Sequence, residues 1–142
     1  MTRYIIVGLT ALYLTACAQP AVPETHPIIS AYSQAYNDKD IETMSNLMHP
    51  DIEWVAVEGI EIDVHVSGKD ALTEVMQGWV ENPDLPKGSL RGWNDNGDYV
   101  AVTETASWKD DTGTEKSQSA LTVYELEDML IRRVYYYPAA TG

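Results

Sequence analysis

The chain has 142 residues, a net charge of −13 and a single cysteine. So acidic a surface repels phosphate backbones and anionic lipid headgroups, which argues against nucleic acid as a partner and leaves a covalent lipid as the only route to a membrane. One cysteine closes no disulfide within the chain, so the fold must rest on its apolar core, and the length suits one domain.

Arg3 precedes an apolar run from Tyr4 to Leu14, and Thr15 and Ala16 lead into Cys17. A charged start, a short apolar stretch and small residues before a cysteine resemble a bacterial lipoprotein signal. An uncleaved membrane helix would need about 20 apolar residues, more than this run supplies. The resemblance implies cleavage before Cys17, with lipid on its thiol and on the new amine. Residues 1–16 are then signal, and 17–26 are the lipidated cysteine and a Pro-rich tether. Ala18 stands where lipoproteins kept in the inner membrane carry Asp, which favours the outer membrane facing the periplasm.

The folded domain is expected over 27–142. Ile28, Tyr32, Ala35 and Tyr36 share one helical face, with Thr25 as a cap, Pro27 in the first turn and Asn37-Asp38 as the break. A second helix, capped by Asp38 or Asp40, turns Ile41, Met44, Leu47 and Met48 inward and stops at Pro50. A third, from about Ser67 to Val80, buries Leu72, Val75, Met76 and Trp79. From Leu90 the apolar period becomes two. Asn96-Gly97 predicts a tight hairpin with both turn residues at positive φ, and Asp111-Thr112-Gly113 the next turn; strands follow over Ser117–Leu126 and Leu130–Tyr137. Helices first and an antiparallel meander after them predict an α+β domain, with one curved sheet wrapped over the helices.

The join Tyr36-Asn37-Asp38-Lys39-Asp40-Ile41, the His49-Pro50-Asp51-Ile52-Glu53-Trp54 lead-in to the first strand, Ser67-Gly68-Lys69-Asp70-Ala71 and the closing Ile131–Tyr137 strand resemble the nuclear transport factor 2-like superfamily, in its SnoaL-like branch. The resemblance covers about 28–138. It implies a cone-shaped antiparallel sheet over about three N-terminal helices, with a pocket inside the cone. It also implies a range of roles: isomerases, cyclases and dehydratases, non-catalytic small-molecule binders, and modules that dimerise through the outer sheet face, here at Leu121 and Val123. Of the groups used by the ketosteroid isomerases in this superfamily, Tyr32 matches the tyrosine. The base aligns with Ala56 and the second acid with Ala120, so that chemistry is not expected.

Strand parity puts Val100, Val102, Glu104, Ala106 and Trp108 on one face of the strand expected from Tyr99 to Trp108, making Glu104 a carboxylate inside the cone. In the last strand parity alone cannot choose between Arg132 and Arg133; the superfamily pattern turns Arg133, Tyr135 and Tyr137 inward. Two readings of Glu104 and Arg133 stand: a structural ion pair, or a clamp for a polar ligand. Tyr32, Tyr36, Trp54, Trp79 and Trp108 would line the site in the second. Glu104, His65 and Tyr32 are the candidates for acid–base chemistry. His26 falls in the tether, and His49 reads as a helix C-terminal residue favoured by the dipole. Asp110, Asp111 and Glu115 serve either a solvated hairpin or weak calcium contact. No spacing of His, Cys and carboxylates makes a metal site, and no cofactor is expected.

Overall fold

The computed structural model describes residues 25–141, so the signal segment, Cys17 and the tether through residue 24 lie outside the described residues. Helix α1 (Pro27–Asp38) starts at His26, without a side-chain cap from Thr25, and Pro27 occupies a position whose N–H would have had no partner. It buries Ile28, Ile29, Tyr32 and Ala35. Asn37 does not break it. Its amide side chain donates to the Gly88 carbonyl at 2.9 Å and accepts from the Gly88 N–H at 2.8 Å, fastening the helix to a strand. Lys39, in the left-handed region at φ 59°, ends the helix.

Helix α2 (Ile41–Asn46) is capped by Asp40, whose carboxylate accepts from the Thr43 N–H at 3.0 Å and from its hydroxyl at 2.6 Å. It is shorter than the periodicity predicts. Met48 already belongs to strand β1 (Met48–Glu58), because it pairs with Ile131 in the sheet and is fully buried there. Pro50 falls in the stretch of β1 where that pairing lapses, the place for a residue with no N–H to give. His49 is therefore a strand residue; its imidazole Nδ1 accepts from the Asp51 N–H at 3.1 Å. Strand β2 (Glu61–Ser67) returns antiparallel to β1, and helix α3 (Lys69–Val80) follows, burying Leu72 and Met76 while Val75 is exposed.

Strands β3 (Lys87–Asn96), β4 (Tyr99–Lys109), β5 (Glu115–Glu127) and β6 (Leu130–Tyr136) form the meander, and the short β7 (Ala140–Thr141) pairs with β5. Asn96 is the last paired residue of β3, so the loop is Gly97-Asp98, and only Gly97 has positive φ, at 72°. The turn with two left-handed residues lies elsewhere, at Asp128 (φ 51°) and Met129 (φ 64°) between β5 and β6. The Asp110 carboxylate is occupied in the β4–β5 turn by the N–H groups of Thr112 and Thr114 and the Thr112 hydroxyl, which accounts for that acidic loop as a hairpin.

The sheet runs β2-β1-β6-β5-β4-β3. It is mixed, since β1 and β6 pair in parallel, and not antiparallel throughout as the meander suggested. Its curved face wraps the three helices, the third of which follows the first hairpin. The core lies between them, from Ile29, Met44 and Met76 on the helices to Val102, Ile131 and Val134 on the strands.

Candidate functional site

Between α1, α3 and the concave sheet face lies a cavity of about 650 Å³. Six aromatic side chains line it: Tyr32 and Tyr36 from α1, Trp54 from β1, Trp79 from α3, Tyr124 from β5 and Tyr136 from β6. Trp54 and Trp79 stack with ring centroids 4.9 Å apart and planes at 28°, and Tyr136 meets Trp54 edge-on at 5.1 Å. These are favoured geometries for aromatic pairs, so the wall is ordered by the same contacts that fill the core.

Glu104 is the only carboxylate among the described lining residues, and neither Lys nor Arg is among them. Strand β4 delivers it by the alternation that buries Val100 and Val102, and the Tyr124 hydroxyl donates to its Oε1. Burial raises the Glu104 pKa, against the opposing pull of the hydrogen bond from Tyr124. The Tyr32, Tyr124 and Tyr136 phenols are all pushed up, first by burial and then by the charge of Glu104. Tyr32 and Tyr124 are donors here, and a proton held by Tyr32 is hard to release. The Tyr32 hydroxyl has the Met76 sulfur 4.0 Å away, while that of Tyr36 donates to the Pro86 carbonyl at 3.0 Å and ties α1 to the segment before β3, whose Leu85 and Pro86 line the cavity.

Tyr32, Tyr36, Trp54, Trp79, Glu104 and His65 thus come together as the sequence suggested, with His65 at the rim beside Asp63. Trp108 does not join them. It shares the parity of Glu104 but lies beyond Ala106, opposite Lys116. Arg133, Tyr135 and Tyr137 also fall outside. Arg133 donates to Glu53 at 2.6 Å and to Glu125 at 3.0 Å on the outer face, and Tyr135 donates to Glu125 at 3.0 Å. Glu104 and Arg133 therefore form neither an ion pair nor a clamp.

The cause is a bulge. Leu126 pairs with Ile131 and Glu125 with Arg133, so Arg132 has no opposite residue and the alternation shifts by one. Ile131, Val134 and Tyr136 face inward in consequence, which strict alternation from Ile131 cannot give. Parity alone leaves the set of Tyr136 open, and the superfamily pattern chooses the set of Arg133 instead. Tyr124 was legible: it alternates with Leu121 and Val123, the residues assigned to the outside.

The pattern of the SnoaL-like domain matches residues 29–134. The chain belongs to the SnoaL-like family. Its fold is nuclear transport factor 2-like, shared with a putative ketosteroid isomerase from Kribbella flavida at TM-score 0.64 and 18% identity, over 81% of this chain and 78% of that one. A Mycobacterium tuberculosis protein solved with estradiol-17beta-hemisuccinate is similar at TM-score 0.63 and 13% identity, over 78% and 90%. TerC, co-crystallised with polyporic acid, is similar at TM-score 0.60 and 23% identity, over 81% and 88%. No curated protein matches the chain significantly by sequence. In this SnoaL-like domain Ala56 and Ala120, where the resemblance sets the isomerase carboxylates, both line the cavity.

Proposed function

We propose that this SnoaL-like protein binds a small, partly apolar molecule in its cone and is held at the cell envelope by lipid on Cys17. The cavity carries the binding half of the proposal: about 650 Å³ of mostly apolar and aromatic wall around one partly buried carboxylate. Small-molecule sites have this form, apolar walls with few convergent polar groups. Two structures of the same fold solved with small organic molecules support the reading. The lipoprotein-like run Leu14-Thr15-Ala16-Cys17 and the following Ala18 support anchoring at the outer membrane, facing the periplasm.

A thermal-shift screen on the full-length protein tests the binding half. A ligand at 100 times its Kd adds about 2.7 kcal/mol. Ala120→Phe, which fills the cavity from β5, should abolish the shift. Hits indifferent to that substitution would place binding elsewhere and overturn the proposal.

The bond from Tyr124 to Glu104 favours a second reading, an acid–base enzyme of the lyase or isomerase kind with Glu104 as the proton carrier. Glu104→Gln would then abolish turnover of a bound substrate. A third reading, a homodimer through the outer sheet face, draws on the exposed Leu121. Sedimentation of the wild type against Leu121→Lys distinguishes it.

A further inference from the structure

Glu104 presents the cavity with a charge that no described lining side chain neutralises with a cation. A carboxylate withdrawn from water is costly unless it is paired. The Tyr124 hydroxyl that donates to Glu104 is a neutral dipole, and the described lining residues include neither Lys nor Arg. Arg91, paired with Thr103 one position along β4 from Glu104, is exposed and outside the lining, and Arg133 is spent on Glu53 and Glu125 on the other side of the sheet. His65 is the remaining basic side chain of the lining, and it sits at the rim with Asp63 3.4 Å from its Nε2. Among the described residues the cavity therefore has a negative centre and no positive one.

Aromatic groups surround that centre. Tyr32 and Tyr124 meet edge to face with centroids 6.4 Å apart, and the Trp54–Trp79 stack and Tyr136 form the adjoining wall. Aromatic faces attract cations through the ring quadrupole, most strongly where water is excluded. An anion meets the opposite conditions, the field of Glu104 and a chain of net charge −13.

On the reading that the cone binds a small molecule, we infer that its ligand is an organic cation, a protonated amine or quaternary ammonium on an apolar body. The positive end lies at Glu104 among the tyrosines and tryptophans. The body lies along Leu85, Leu90, Ala106 and Ala120. The ligand supplies the counter-charge that the chain withholds, so Glu104 selects for charge while the apolar wall selects for size.

Calorimetric titration of the full-length protein with three probes tests this inference. (4-Hydroxyphenyl)trimethylammonium and 4-tert-butylphenol share one shape and differ by a nitrogen cation for a carbon; 4-tert-butylbenzoate supplies an anion of similar size. The cation should bind at least about tenfold more tightly than the phenol, and the benzoate most weakly. Glu104→Gln, nearly isosteric, should bring the cation-to-phenol ratio to about one by weakening the cation alone. Arg133→Met removes a charge from the outer face and should leave the ratio unchanged. If Glu104→Gln does not fold, the wild-type ranking alone decides. Equal binding of cation and phenol, or preference for the benzoate, overturns the cation inference while leaving the cavity a binding site. Failure of all three probes to bind overturns the inference, and the small-molecule reading with it.

Discussion

Burial and hydrogen bonding pull Glu104 in opposite directions, and burial prevails, so its pKa is raised in the fold. Relative to the unfolded chain, folding then favours the protonated acid. The stabilisation from Glu104 is fully present below the carboxyl's ordinary value, about 4.3, and is lost as pH rises through the raised folded pKa. Glu104→Gln lacks this dependence. Its melting temperature should therefore gain on that of the wild type as pH is raised from 4 to 8, as scanning calorimetry across that range can check. The Arg133 side chain, 28% exposed, instead joins an outer-face network with Glu53 and Glu125. Double-mutant cycles in urea separate the two sites. Glu53→Gln with Arg133→Met should show coupling of about 0.5 to 1 kcal/mol, whereas Glu104→Gln with Arg133→Met should add within about 0.5 kcal/mol.

The β5–β6 hairpin shows a local element that departs from its own sequence preference. Asp128 and Met129 both adopt positive φ, a conformation that strains side chains bearing a Cβ and for which Asn-Gly is the favoured pair. Met129 is 71% exposed and contributes little packing. Replacing the pair with Asn-Gly should stabilise the protein by about 1 kcal/mol, read as a higher urea midpoint at unchanged m. The Asn-Gly pair already in the chain, at Asn96-Gly97, is placed one residue earlier, with Asn96 still in β3. Position within the ladder, not dipeptide identity, decides which residues turn.

For the whole molecule, the proposed anchor and the cavity are separable. Cys17→Ser should abolish lipid incorporation and signal processing while leaving the near-ultraviolet circular dichroism of the aromatic cavity unchanged. Mass spectrometry of the native protein retaining Met1, or bearing an unmodified cysteine, would refute the anchor. The sequence by itself determined the α+β class, the helical face of α1, Leu72 and Met76 as the buried residues of α3, and the inward carboxylate Glu104. Each follows from a local period of 3.6 or 2 that the surrounding fold preserves. It also brought forward Tyr32, Tyr36, Trp54 and Trp79, because long amphipathic elements fix which way such residues face. Tertiary structure alone decided the parallel pairing of β1 with β6 and the bulge at Arg132. Alternation within seven residues of β6 cannot reveal an extra residue, because a bulge is defined by what lies across the ladder. That one residue moved Arg133 to the outside and Tyr136 into the cavity, leaving Glu104 without a cationic partner among the described lining residues.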